Sequence, residues 1–198
     1  LLQHSQLVGD RRLGHVQDLG DVAHAHLRFK QRVEYADPRG VAEHLEQLRQ
    51  AFKTIPNTAL AVTYDVGEWN DIHPLNKKAV AQRLFLGARK LVYGEKITSS
   101  GPVYKDMKVE GNKIIISFTE TGRGLMAKGG VLKHFAIAGE DKQFVWADAV
   151  IRGNKVIVSS KEVQNPVAVR YAWSDNPDDA NLCNKDGLLA SPFRTDNW

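Results

Sequence analysis

The sequence has a single cysteine, Cys183, among 198 residues. An internal disulfide is therefore excluded, and the fold does not depend on one. No apolar run approaches the roughly 20 residues that are needed to cross a bilayer, so no membrane span is expected. The chain opens with Leu1, and its first residues do not show a signal-peptide pattern.

A concentration of positive charge is also lacking. The formal net charge of +4 divides into +1 over residues 1–56, +2 over residues 57–94 and +1 over residues 95–198. Since no segment forms a basic patch, a nucleic-acid partner is not expected. What is present is ordinary for a globular protein: 25% charged and 42% hydrophobic residues, in a chain long enough for one core or two small ones.

The first 50 residues contain five of the seven histidines and only two aromatic residues, Phe29 and Tyr35. Such a stretch can bury little apolar surface. The spacing of His24 and His26 could hold a metal on a strand, but no carboxylate or cysteine cluster accompanies them. We therefore interpret them as an ordinary surface pair.

The middle of the chain has the pattern of an α/β fold. Apolar residues at helical spacing predict an amphipathic helix over Val41–Phe52. The apolar, β-branched run Thr58–Tyr64 predicts a strand buried on both faces. A second helix is predicted from Asn76 or Lys77 to a stop at Gly94, with one apolar stripe formed by Val80, Leu84, Ala88 and Leu91.

Beyond Gly94 the apolar period changes from 3.6 to 2, which predicts strands. Two Gly-Asn pairs, within Glu110–Lys113 and Arg152–Lys155, are typical of tight hairpins. These features predict an antiparallel β-sandwich-like unit. Asp175–Trp198 is expected to be an ordered closing coil, anchored by Leu182, Leu188, Leu189 and Phe193. The predicted strands are Met107–Val109, Ile114–Phe118, His134–Ala138, Val145–Ile151, Val156–Val158 and Val167–Trp173.

The loop between the predicted strand Thr58–Tyr64 and the second helix carries a family resemblance. Its run Trp-Asn-Asp-Ile-His-Pro-Leu-Asn-Lys, residues 69–77, resembles a motif of the sialate O-acetylesterase family, a branch of the SGNH-type carbohydrate esterases. The resemblance extends over roughly residues 53–198, with further motifs in the family's order, whereas residues 1–50 do not share it. A misread frame or a truncated gene model would explain that difference. The further motifs are Ile55–Thr58, Arg170–Trp173, Ala180–Leu182 and Pro192–Asp196.

The resemblance implies a fold and an activity. Residues 41–95 are expected to be a fragment of an SGNH-like three-layer α/β domain, and residues 96–198 a C-terminal β-domain, after an atypical segment over residues 1–40. The implied reaction is hydrolysis of O-acetyl esters on sialic acid or a related acetylated saccharide, without metal or cofactor. The resemblance also favours a periplasmic or secreted location for the protein.

The resemblance also assigns site residues. His73 is the expected general base, and Asp71, two residues earlier, is our choice for its acidic partner. The broader SGNH pattern has an aspartate three residues before the histidine, where this chain has Asn70. A water, a backbone carbonyl or an acid outside this chain are therefore alternatives, and Asp71 could instead brace the turn. Trp69 could stack on a sugar, although a core or lid position fits it better.

The family's nucleophilic serine belongs to a Gly-Gln-Ser-Asn type segment, and no serine of this chain stands in such a setting. The oxyanion donors are expected in the same missing segments. The chain therefore resembles the C-terminal portion of an esterase. The alternative is a catalytically inactive fragment, or a carbohydrate-binding or packing β-module whose exposed aromatic residues form a platform.

Overall fold

The computed structural model describes residues 51, 54–68, 71, 73, 75–174 and 176–198. The predicted helix over residues 41–52, apart from residue 51, and the pair His24 and His26 lie outside the described residues. The chain divides into two compact units, which meet in sequence between Ser100 and Gly101.

The first unit contains helix α1, Lys77–Leu91. Asn76 caps its start, because its side-chain oxygen accepts a hydrogen bond from the backbone N–H of Ala79 (3.1 Å). The predicted apolar stripe is confirmed: Val80, Leu84 and Ala88 are buried and Leu91 is half-buried. Gly94 follows the helix with a φ of 68°, as a left-handed stop requires.

The predicted strand over Thr58–Tyr64 is not confirmed. Residues 58–63 pair with no strand in the part of the chain that the structure describes, and Tyr64 begins a 3₁₀ turn, Tyr64–Val66. The segment still packs on α1, where Ala61, Val80 and Leu84 form a small core with Val66. A strand buried on both faces needs hydrogen-bonding neighbours, and an apolar run alone does not supply them.

The second unit is built of antiparallel sheets. One four-stranded sheet has the order β1-β2-β7-β6, another has the order β10-β8-β4-β5, and β3 pairs with β9. The strands are β1 Val103–Glu110, β2 Lys113–Thr119, β3 Leu125–Ala127, β4 Phe135–Ala138, β5 Phe144–Trp146, β6 Asp148–Arg152, β7 Lys155–Ser159, β8 Ala168–Tyr171, β9 Leu182–Asn184 and β10 Phe193–Arg194.

Both predicted hairpins are confirmed. Gly111 (φ 58°) turns β1 into β2, and Gly153 (φ 60°) turns β6 into β7. The run predicted as one strand over Val145–Ile151 divides at Ala147. Its first part, β5, pairs with β4, whereas its second part, β6, pairs with β7, so one apolar run serves two sheets.

An aromatic cluster joins the two four-stranded sheets. The ring of Phe193 on β10 stacks on Tyr104 of β1 at 5.0 Å and meets Phe118 of β2 edge-on at 5.7 Å. On its own sheet it lies 5.8 Å from the ring of Tyr171, which is fully buried. The two sheets therefore share one core, and offset and edge-on ring contacts of this kind stabilise it.

The closing segment is ordered, as predicted, but it also contributes β9 and β10. Its anchors Leu182, Leu189 and Phe193 are buried, and Leu188 is half-buried. Asn181 fixes a loop across the unit: its amide donates to the carbonyls of Lys128 (3.0 Å) and Val131 (2.8 Å), and its oxygen accepts from the N–H of Lys133 (2.9 Å). These bonds satisfy backbone groups of the loop between β3 and β4.

Candidate active site

The loop before α1 is braced by a partly buried ion pair. The guanidinium of Arg83, on α1, donates to both carboxylate oxygens of Asp65 (2.6 and 2.8 Å) and to the carbonyl of Val62 (2.6 Å). Both side chains are only 15% exposed. A bidentate pair at this depth holds the 3₁₀ turn against the helix. The residues are 18 positions apart in sequence, so no local pattern could have predicted the contact.

The loop then closes on itself. The N–H of Asp71 donates to the carbonyl of Glu68 (3.3 Å), and the two residues form an isolated antiparallel bridge. The predictions for Trp69 and Asn70 lie outside the described residues and stay predictions. Because the turn is anchored behind by Arg83 and ahead by the capped helix, the backbone around Asp71 is held at both ends.

Both predicted site residues lie in this turn and are close together. The backbone N–H of His73 donates to Asp71 Oδ1 (2.8 Å), and the imidazole Nδ1 of His73 lies 3.6 Å from the same oxygen. The first contact is a good hydrogen bond and the second is longer than one. The carboxylate therefore braces the turn and also lies beside the imidazole nitrogen that a catalytic aspartate would contact.

The imidazole is accessible. The side chain of His73 is 63% exposed and that of Asp71 is 41% exposed, so a substrate could reach the ring. Catalytic hydrogen bonds are often long in a free enzyme, so the 3.6 Å separation does not exclude this pairing. The geometry permits Asp71 to fix the tautomer of His73.

In the described part of the chain, no group of three or more His, Cys, Asp or Glu side chains is arranged to hold a metal ion. Cys183 is buried, and burial raises the pKa of its thiol, which suits a structural residue and not a nucleophile. Among the described helices, none has the length and apolarity of a bilayer-crossing segment.

The chain is similar in sequence to mammalian sialate O-acetylesterases. The chain is 33% identical over 155 residues to human sialate O-acetylesterase, covering 70% of this chain and 29% of that protein. It is 30% identical over 139 residues to the mouse protein of the same name, covering 65% of this chain and 26% of that one. No family model matches the chain.

A solved structure agrees with these relatives. The crystal structure of a carbohydrate acetylesterase from Xanthomonas citri superposes with a TM-score of 0.74 at 47% sequence identity, covering 77% of this chain and 35% of that one. The chain thus spans less than a third of the curated relatives' length, so the relatives contain large segments to which nothing here corresponds.

Proposed function

Since this chain belongs to the sialate O-acetylesterase family, we propose that it is the C-terminal portion of an enzyme that hydrolyses O-acetyl esters on saccharides. The observation that supports this proposal most strongly is the similarity to a carbohydrate acetylesterase structure, with 47% sequence identity and a TM-score of 0.74. We assign residues 41–95 to the end of an SGNH-like catalytic domain and residues 96–198 to a β-sandwich-like domain. Sialic acid or a related acetylated saccharide is the proposed substrate, and the periplasm or the exterior the proposed location.

In this proposal His73 is the general base. Its Nε2 takes the proton of a serine hydroxyl as the serine oxygen attacks the acetyl carbonyl, which gives a tetrahedral intermediate. Collapse of the intermediate breaks the ester bond, and His73 returns the proton to the departing sugar oxygen. Water, activated by the same nitrogen, then attacks the acetyl-enzyme and releases acetate.

The serine and the donors that stabilise the oxyanion are assigned to the family's Gly-Gln-Ser-Asn type segment, which this sequence does not contain. The contribution of this chain is then the base and the loop that positions it. Support comes from the contacts of Asp71, whose carboxylate binds the backbone of His73 and lies beside its ring. Asp71 is the proposed orienting acid, and the Asp65–Arg83 pair supports the loop from behind.

The test is acetate release from O-acetylated saccharides, measured for two polypeptides. One carries this chain together with the serine-bearing segment, and the other is the 198-residue chain alone. We expect the first to release acetate from acetylated sialic acid or a related acetylated saccharide, and the second to match the uncatalysed rate, because removing a nucleophile costs several orders of magnitude. Equal activity of the two polypeptides would contradict the proposal.

A further inference from the structure

The second unit contains a cavity of about 520 Å³ that is lined by residues of β4, β5 and β8. That volume is within the range of small-molecule sites. The lining is mixed: three large aromatic side chains stand among charged and hydroxyl groups. The lining includes the side chains of His134, Phe144, Trp146, Glu162, Arg170 and Trp173.

Trp146 is the accessible aromatic residue of this cavity. It lies on the edge strand β5 and is 71% exposed. The imidazole of His134 meets its ring edge-on, with centroids 5.9 Å apart. His134 is itself held by Asp179, which also accepts a hydrogen bond from Lys133 Nζ (2.9 Å). An exposed tryptophan supported in this way presents a fixed apolar face to the solvent.

The backbone at the cavity is unusual at two non-glycine residues. His134 (φ 61°) and Ala172 (φ 51°) are both left-handed, and the N–H of Ala172 donates to the carbonyl of His134 (3.0 Å). Each conformation costs about 1 kcal/mol or more, and such costs gather at functional sites. The two kinks lie beside the cavity residues Trp146 and Trp173, one before β4 and the other after β8.

The other two aromatic faces already carry cations. The guanidinium of Arg170 lies 4.0 Å from the centroid of Phe144, and that of Arg194 lies 5.6 Å from the centroid of Trp173. Both arginines bind the carboxylate of Asp196, which is fully buried. Trp146 is the exposed ring of the three, and we assign it to a ligand. A cationic ligand would be repelled by the guanidinium groups beside the other two rings.

The charges of the cavity also disfavour an anion. Arg170 uses its Nε and one terminal nitrogen for the two oxygens of Asp196 (3.0 and 2.6 Å), so that edge is not available to a ligand carboxylate. Glu162 adds an exposed negative charge to the wall. The two arginine charges are thus balanced by two carboxylates, which suits a ligand without net charge.

We propose that this cavity binds a neutral pyranose residue of a saccharide, with Trp146 as its stacking face and Glu162 as an acceptor for its hydroxyls. The axial C–H bonds of a pyranose form an apolar patch with a slight positive charge, which matches the negative face of an indole ring. The ring of hydroxyls around that patch needs acceptors and donors at the cavity wall. This binding is separate from ester hydrolysis and needs no serine.

The experiment is calorimetric titration of the 198-residue chain with neutral cello-, xylo- and manno-oligosaccharides, with free N-acetylneuraminic acid and with choline. We expect at least one neutral oligosaccharide to bind with a Kd of about 1 mM or below. Trp146→Ala should weaken that binding at least roughly tenfold, the effect of losing about 1.4 kcal/mol of stacking. Trp198→Ala is the matched control, because Trp198 is 41% exposed and lies outside the cavity; it should bind like the wild type.

Unchanged circular dichroism and thermal unfolding of Trp146→Ala would show that the loss is local, as expected for a side chain that is 71% exposed. Three results would overturn the proposal: no neutral saccharide binding up to about 10 mM, equal binding by Trp146→Ala, or tighter binding of choline or of the anionic sugar. Because the readout is binding and not acetate release, failure here leaves the esterase proposal untouched.

Discussion

Replacing Asp196 by alanine removes a carboxylate that two arginines share inside the second unit. The side chain of Asp196 is fully buried, whereas those of Arg170 and Arg194 are 23% and 20% exposed. The carboxylate accepts hydrogen bonds from Arg170 Nε (3.0 Å) and from a terminal nitrogen of Arg170 (2.6 Å). A terminal nitrogen of Arg194 lies 2.7 Å from it and forms an ion pair. The substitution leaves two guanidinium groups in a partly buried setting without that partner.

The magnitude follows from these contacts. Each charge-assisted hydrogen bond contributes about 1.5 kcal/mol at the low end of its range, and removing one partner of a fully buried ion pair costs about 3–5 kcal/mol. Water can reach part of each arginine, which relieves some of the penalty. We therefore expect Asp196→Ala to lower the free energy of unfolding by roughly 3 kcal/mol, which is a large share of the stability of a small domain.

Urea denaturation followed by circular dichroism measures this change. With a slope of about 1.5 kcal/mol per molar urea, the midpoint should fall by roughly 2 M. Asp178→Ala, at an exposed aspartate, is the control and should stay within about 0.5 kcal/mol of the wild type. Adding Arg170→Met to Asp196→Ala should cost little more, since the partner is already gone. A loss below about 1 kcal/mol for Asp196→Ala would refute the reasoning.

Three further substitutions test other parts of the structure. Asp71→Asn keeps an oxygen that accepts from the N–H of His73 but loses the negative charge, so kcat of the serine-bearing enzyme should fall roughly 100-fold if Asp71 orients His73. An unchanged kcat would show that Asp71 only stabilises the turn. Gly101→Ala would place its Cβ 1.8 Å from the carbonyl oxygen of Leu189, and a loss of at least about 2 kcal/mol is expected in urea denaturation, with a wild-type midpoint contradicting that contact. Hydrogen bonds from Lys133, and to a smaller extent from His134, lower the pKa of Asp179. The stabilisation that this carboxylate provides is therefore present above the unfolded pKa of about 3.9 and is lost as the pH falls through the folded pKa. Because the side chain is 54% exposed, Asp179→Asn should lower the free energy of unfolding by less than about 1 kcal/mol at pH 7 and not at all near pH 2, and an equal loss at both pH values would contradict this.

Local chemistry made part of the fold predictable from sequence. The helix Lys77–Leu91 follows from one apolar stripe and a capping asparagine, and both hairpins follow from Gly-Asn pairs that supply a positive φ. The short strands β3, β9 and β10 were not predicted. They have two or three residues each, too few for an alternating pattern to stand out.

Other features depend on residues far apart in sequence. The apolar run Thr58–Tyr64 has the composition of a strand, but strand formation depends on neighbouring strands that a local pattern does not specify. Among the described residues, 58–63 are not part of a strand. At the candidate site, the motif predicted His73 and Asp71 as neighbours, and the structure places them in one turn. The Asp65–Arg83 brace and the cavity beside Trp146 join distant residues, so no pattern in the sequence indicated them.

The most direct test of the account is kcat for acetate release by the serine-bearing enzyme after His73→Ala, with Leu75→Ala as control. Leu75 is two residues from His73 and 74% exposed, so its loss should leave kcat unchanged. We expect His73→Ala to lower kcat by a factor of roughly 10³ or more, since a general base contributes a rate factor of about 10²–10⁴ and acts together with the nucleophile. Full activity in His73→Ala would contradict it.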